Sequence, residues 1–276
     1  MLLDLHVHST ESDGSLSPEQ LVDYAVDKGI SALALCDHDT TSGVTRFVSY
    51  GESKNIRALP GVEISATWET GNCHILGLGV SDNNAALEET LLKIRDSRGG
   101  RNEKIIAKLN ALGIAITLAE AQGLAGGDVV GRPHMARIMH EKGFVESVQE
   151  AFDKYLAKGA PAYVDRFRLK PYKAVALLRQ AAKLVVLAHP SQLRIAPDKL
   201  EEFVAGLVPH GLGGIEAYTP YNGELKLYLE LAQKHNLAVT GGSDFHGESK
   251  PDHVLGYYGD GLAIPEDCWK NVEHCL

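Results

Sequence analysis

Residues 2–8 read Leu2-Leu3-Asp4-Leu5-His6-Val7-His8, an apolar run of strand length that ends on two histidines two positions apart. Side chains two apart on a strand point to one side, so both imidazoles share a face. The same construction recurs along the chain. The run 32–36 stops at Asp37-His38-Asp39, the run 57–64 carries Glu63, and the run 73–80 opens with His74. Downstream, 183–189, 212–218 and 238–246 repeat it, the last closing on Gly242-Ser243-Asp244-Phe245-His246.

Amphipathic stretches separate these runs. Ser17-Pro18-Glu19-Gln20 starts a helix: Ser17 caps it, Pro18 suits its first turn, and Leu21, Val22 and Ala25 form an apolar face that ends at Gly29. Further helices are expected around 171–182, 197–210 and 222–236. Strands alternating with helices predict an α/β fold of parallel strands joined by crossover helices, which curl over seven or so units into a barrel. Polar residues at the downstream strand ends then gather on one rim. An open doubly wound sheet is the rival, but candidate ligands come from nearly every strand, and closure is what would bring them together.

One stretch breaks the rhythm. From about 82 to 168 the sequence is mostly helical, with helices expected over 85–112 and 147–158 and a third starting at Arg132-Pro133-His134. A single domain, 1–276, with a helical insertion at about 100–165 lying over the rim, accounts for it.

Composition narrows the function. With 27 basic against 36 acidic residues the net charge is −9, which argues against coating a long duplex but leaves room for a local basic pocket. No apolar run approaches the ~18 residues of a membrane span. The start, Met1-Leu2-Leu3-Asp4, lacks the basic opening and long apolar stretch of a signal peptide. Cys36, Cys73, Cys268 and Cys275 form no CxxC pair, so the expectation is a soluble protein of a reducing compartment, the cytoplasm.

The strand-end residues are the chemistry. His6, His8, Asp13, His38, Glu63, His74, His134, Asp244 and His246 mix imidazole with carboxylate and include no cysteine. That set favours Mn2+, Zn2+ or Fe2+ over a thiolate zinc site. Nine groups exceed the needs of one ion, and two or three ions sharing a carboxylate fit the count. A lone His-x-His is more often an edge-strand pair than a ligand set. The metal reading rests on the joint occurrence at separate strand ends.

In this order, His6-x-His8, Asp13, Asp37-His38-Asp39, Gly61-x-Glu63, His74, Arg132-Pro133-His134, His189 and Asp244-x-His246, the chain resembles the PHP (polymerase and histidinol phosphatase) superfamily along essentially its whole length. The resemblance implies a distorted seven-stranded (β/α)7 barrel with a trinuclear metal centre. His6, His8, Glu63 and Asp244 would hold one ion, a bridging Glu63 with His74 and His134 a second, and Asp13, His38 and His246 a third. Glu63 and Asp244 then join His189, a phosphate contact or proton donor, as the expected catalytic residues. The ions are expected to be Mn2+ first, with Zn2+ or Fe2+ as the alternatives.

Two ions about 3.5–4 Å apart can share a water and lower its pKa towards neutrality, giving a metal-bound hydroxide that attacks phosphorus. Phosphate also needs fixed cations. Arg98, Arg101, Lys104 and Arg132 in the insertion and Arg194 after His189 are the candidates, with Tyr218 available to stack on a base. The opening 4–14, the segment 35–39 and Gly131-Arg132-Pro133-His134 look like the branch, often labelled TrpH-like, of 3′,5′-nucleotide bisphosphate phosphatases and of proteins that trim short RNA from the 5′ end. The implied reaction removes the 3′-phosphate of a nucleoside 3′,5′-bisphosphate, leaving the 5′-monophosphate and inorganic phosphate. The expected partner is a small nucleotide or short RNA, with no membrane and no obligate protein partner. Histidinol-phosphate hydrolysis, a non-catalytic PHP module, and amide or lactone hydrolysis are the alternatives.

Overall fold

A computed structural model describes residues 1–81, 84–125, 130–165, 167–221 and 223–274, the side chains of Arg98, Gly99, Ala125 and Asp260 apart. The chain divides into two compact units, residues 1–91 with 168–276, and residues 92–167.

The first unit is built on a curled seven-strand half-barrel: β1 (Leu2–Val7), β2 (Ile30–Leu35), β3 (Arg57–Ala66), β4 (Cys73–Val80), β5 (Ala182–Leu187), β6 (Gly214–Tyr218) and β7 (Ala238–Gly241). The strands lie side by side in chain order. The curl brings Val7, at the end of β1, into a parallel bridge with Phe245 beyond β7, where the His8 N–H donates to the Phe245 carbonyl at 2.9 Å. Around the sheet run α1 (Pro18–Asp27) and α2 (Val44–Ser53), and later α7 (Pro171–Arg179), α8 (Pro197–Leu207) and α9 (Leu225–His235). Ser17 caps α1 in a full capping box with Gln20, and Pro18 occupies its first turn.

The strands are not all parallel. β4 runs antiparallel to both β3 and β5. The link 67–72 is too short for a crossover helix, which takes a dozen or more residues, so β3 and β4 form a hairpin. The reversal has a functional consequence: it puts the start of β4, where His74 stands, on the rim formed by the ends of the other strands. β7 is also shorter than its apolar run suggested, stopping at Gly241, and Asp244 beyond it takes a left-handed backbone, φ +49°.

The interior is filled by Leu3, Leu5, Ala32, Ala34, Cys36, Leu76, Leu78, Leu184 and Val186. The C-terminal segment, with β8 (Tyr257–Tyr258), β9 (Leu262–Ala263) and α10 (Asp267–Glu273), adds Ile264, Cys268, Trp269 and Val272 to that core. A second layer, including Val7, Leu33, Leu35, Leu21, Val22 and Phe47, lies between strands and helices.

The second unit is helical. It takes in most of α3 (Ala85–Ala111), with α4 (Leu118–Ala125), α5 (Arg132–Glu141) and α6 (Val148–Ala151). Its own core contains Ile105, Leu109, Ile116, Met135, Met139 and Leu156. The single helix expected over 147–158 is instead the short α6 followed by a π-helical turn, Phe152–Leu156. Among the described residues no helix is long and apolar enough to cross a membrane.

Candidate metal centre

A bulge in β1 aims the first two histidines. Leu3 and Leu5 pack with the inner core, yet Val7 packs in the outer layer beside Leu33 and Leu35. Between them the register slips, Asp4 pairing with Leu33 and Val7 with Leu35, so three steps on β1 oppose two on β2. The extra residue reverses the alternation, and His6 and His8 take the inward face that Leu3 and Leu5 held below. Both are fully buried.

Glu63 is the hub. Its Oε1 lies 3.3 Å from His6 Nε2, 3.1 Å from His74 Nδ1 and 3.1 Å from His189 Nε2. Its Oε2 lies 3.4 Å from His8 Nε2 and 2.8 Å from His38 Nδ1. Asp244 Oδ1 sits 3.1 Å from His8 Nε2, and Asp13 Oδ1 is 3.2 Å from His246 Nε2. Three overlapping ligand groups result: His6, His8, Glu63 and Asp244; His38, Glu63 and His74; and His8, Asp13, His38 and His246. Glu63, His8 and His38 each belong to two of them, the sharing that a polynuclear site requires.

The donor atoms fit cations better than one another. His38 Nδ1, Glu63 Oε2, His74 Nδ1 and His246 Nε2 are buried without a hydrogen-bond partner. The 2.8 Å approach of His38 to Glu63 is thus close in distance but wrong in direction. Buried polar atoms are normally satisfied, and a convergent set that is not suits ions. The electrostatics agree. Burial opposes ionisation of Glu63, but the surrounding His74, His38 and His6 hold its carboxyl well below the usual range. Burial also works against the His38 imidazolium, but Glu63 and Asp13 outweigh it and raise the ring to about 9. Burial dominates at His74, lowered to about 4, which keeps its ring neutral and able to ligate.

A surrounding layer fixes these side chains. Asp37 accepts from the Ser9 N–H and from both the Ser9 and Ser12 hydroxyls. Asp39 accepts from the Ser65 N–H at 2.9 Å. Asp4 takes the Ser243 N–H, the Ser243 hydroxyl and the Gly256 N–H; burial pushes its pKa up to about 6, against those bonds. His246 Nδ1 donates to the Asp244 carbonyl at 2.8 Å, leaving Nε2 free. Asp39, His189 and Asp244 all have positive φ, backbone strain concentrated at the centre.

Several participants were not singled out from sequence. Glu216 Oε1 meets His6 Nδ1 at 3.0 Å, and its Oε2 accepts the His189 N–H at 2.8 Å. The available signal was a carboxylate inside an apolar strand, Gly214-Ile215-Glu216-Ala217, as in Gly61-Val62-Glu63-Ile64. Lys250 and His253 bond to Asp244, and nothing in their spacing marked them; Tyr221, read from sequence as a candidate to stack on a base, instead donates its hydroxyl to Asp244. At Gly242 an added Cβ would stand 2.2 Å from the His6 Cβ and 2.8 Å from Glu216 Oε1, so a close approach demands glycine there.

Eight of the nine expected ligands thus meet in the first unit. The ninth, His134, lies in the second, in the first turn of α5, where its Nδ1 accepts the Gly131 N–H at 3.1 Å. In the same unit Arg132 donates to the Leu156 carbonyl and lies over the Phe152 and Tyr163 rings. Arg101, buried, donates through Nε to the Val164 carbonyl. Lys104 is exposed, and the Arg98 side chain lies outside the described residues. Arg194 is exposed just after the 3-10 turn Pro190–Leu193. Tyr218 ends β6 with its ring edge-on to Tyr258 at 5.1 Å.

Comparison with known proteins gives these residues a setting. A 3′,5′-nucleoside bisphosphate phosphatase of Chromobacterium violaceum is 31% identical over 98% of this chain and 96% of its own. The 5′-3′ exoribonuclease Rnm of Escherichia coli is 34% identical over 89% of this chain and 85% of its own. A solved structure from Bifidobacterium adolescentis, assigned as a metal-dependent phosphoesterase, superposes with a TM-score of 0.80 at 27% identity, covering 99% of this chain and 96% of that one. The PHP domain model matches residues 4–165. Together with a curled sheet that gathers imidazoles and carboxylates from nearly every strand, these matches show that the chain belongs to the PHP domain family.

Proposed function

We propose that this protein is a metal-dependent phosphatase that removes the 3′-phosphate of nucleoside 3′,5′-bisphosphates, such as adenosine 3′,5′-bisphosphate, and also acts from the 5′ end on short RNA. The observation that carries the reading is Glu63, ringed by five imidazoles and shared between two ligand groups. The Chromobacterium relative supports the substrate, and the Escherichia relative supports the RNA activity.

Two or three divalent ions, Mn2+ foremost, suit a set of nitrogen and oxygen donors without thiolate. When bound, they supply Lewis acidity that activates water and offsets charge on the phosphoryl group. The chain's own residues do the rest. Glu63 and Asp244 hold the reacting centre together. His189, against Glu63 at 3.1 Å, delivers a proton to the departing ribose oxygen. His134 completes the ligand set. Arg98, Arg101, Lys104, Arg132 and Arg194 are the pool from which the second phosphate finds its cations, and Tyr218 is the stacking surface for the base. The setting is the cytoplasm, and no membrane or obligate protein partner is involved.

The test is a comparison of substrates. Mn2+-loaded protein should release inorganic phosphate from adenosine 3′,5′-bisphosphate far faster than from histidinol phosphate, leaving the 5′-monophosphate. Equal or reversed rates would reject the assignment.

A further inference from the structure

Asp244 is held differently from Asp4 and Asp37, two other buried aspartates beside the centre. Asp4 and Asp37 are held by serine hydroxyls and backbone N–H groups. These are neutral donors. Asp244 turns Oδ1 towards His8 and gives Oδ2 to two partners, the Tyr221 hydroxyl and, at 2.6 Å, the Lys250 ammonium. Lys250 also donates to the Tyr221 oxygen at 3.1 Å.

Aiming a carboxylate needs no charge, and Tyr221 alone would do it. An ammonium beside a carboxylate that faces a cation site works against the cations, because like charges repel strongly where water is excluded. A second anion must therefore account for the lysine. Two of its three N–H donors are engaged, one remains, and the side chain is 34% exposed.

We propose that Lys250 is the site's fixed cation for the phosphate undergoing hydrolysis, tethered beside Asp244 by Tyr221. A lysine acts on phosphate as a compact point charge and can follow the anion as its geometry changes. The inference rests on the phosphatase reading above and adds a substrate contact to it.

The experiment compares the full chain with Lys250→Met, Lys250→Arg and Tyr221→Phe. Mn2+ content and affinity are measured first, then binding of inorganic phosphate by calorimetry, and finally kcat and KM on the bisphosphate. Lys250→Met should bind Mn2+ at least as tightly as the parent, yet bind inorganic phosphate about tenfold more weakly and lose about 10–100-fold in kcat/KM. Lys250→Arg should recover part of the phosphate affinity. Tyr221→Phe, which loosens the tether but keeps the charge, should lose only severalfold. Phosphate affinity and kcat/KM unchanged in Lys250→Met would overturn the proposal. So would loss of Mn2+ with phosphate binding intact, since Lys250 would then serve only to position Asp244. Should Lys250→Met fail to fold, Lys250→Gln, which also removes the charge, takes its place: parental phosphate affinity and kcat/KM in it overturn the proposal. If the parent itself releases no phosphate from the bisphosphate, the phosphatase reading fails and this proposal falls with it.

Discussion

Glu216 Oε1 lies 3.0 Å from Nδ1 of His6, a residue 210 positions earlier in the chain. The carboxylate accepts from the ring, so this contact holds a proton on Nδ1 and turns Nε2 towards Glu63 and His8. The same carboxylate's other oxygen holds the His189 backbone, coupling two strand ends through one side chain.

Glu216→Gln is therefore expected to break one of the two bonds, because an amide offers a single acceptor oxygen. Mn2+ affinity should fall about 10–100-fold, the usual cost of losing the partner behind a ligating histidine. Metal retained per chain after gel filtration checks it; parental retention would show that Glu216 does not set the His6 tautomer.

The metal-free protein should lose stability in alkali. His38 is raised from its ordinary 6.5 to about 9 in the folded chain. A raised pKa means that the fold favours the protonated ring, so its contribution is complete below about pH 6.5 and is lost as pH rises through about 9. Thermal melts of the metal-free chain should fall by about a few degrees across that window. Over the same range Mn2+ affinity should rise by up to about tenfold per pH unit as His38 gives up its proton. Mn2+ affinity that is flat with pH would contradict this.

Gly242→Ala should be costly although the change is one methyl. The added Cβ would collide with the His6 Cβ at 2.2 Å, and strand ends packed this closely cannot simply move apart. A loss of about 1–3 kcal/mol by denaturant unfolding is expected, together with weakened metal binding. A variant with parental stability and full metal would show that the rim has slack.

His189→Asn should separate chemistry from ligation. Asparagine tolerates the positive φ of +27° at this position better than most residues, so the backbone is preserved. If His189 is the proton donor proposed above, kcat should fall by about 10²–10⁴ while Mn2+ content stays full. If metal is lost instead, His189 is a ligand.

Much of the centre was legible because strand-end position and residue type suffice to recognise it. His6, His8, His38 and Glu63 follow or lie in apolar runs on β1, β2 and β3, and Asp244 and His246 follow β7. Glu216 and Lys250 were harder. A carboxylate within a strand and a lysine in a loop look alike whether they support a ligand or face solvent, and only the fold reveals which carboxylate they meet. The reversal of β4 escaped for a similar reason: its sequence reads the same whichever way the strand runs.

The sequence by itself determined which residues could bind cations and that they stood at the ends of buried strands, because hydrophobic periodicity and donor chemistry are local properties. Only the tertiary structure decided which donors share a carboxylate, which ring nitrogen of His6 faces Glu63, and where glycine is obligatory. Those depend on a bulge between Asp4 and Val7, a hairpin over 67–72 and contacts spanning more than 200 residues. Such features belong to packing, in which a single register slip changes the face to which every following side chain points.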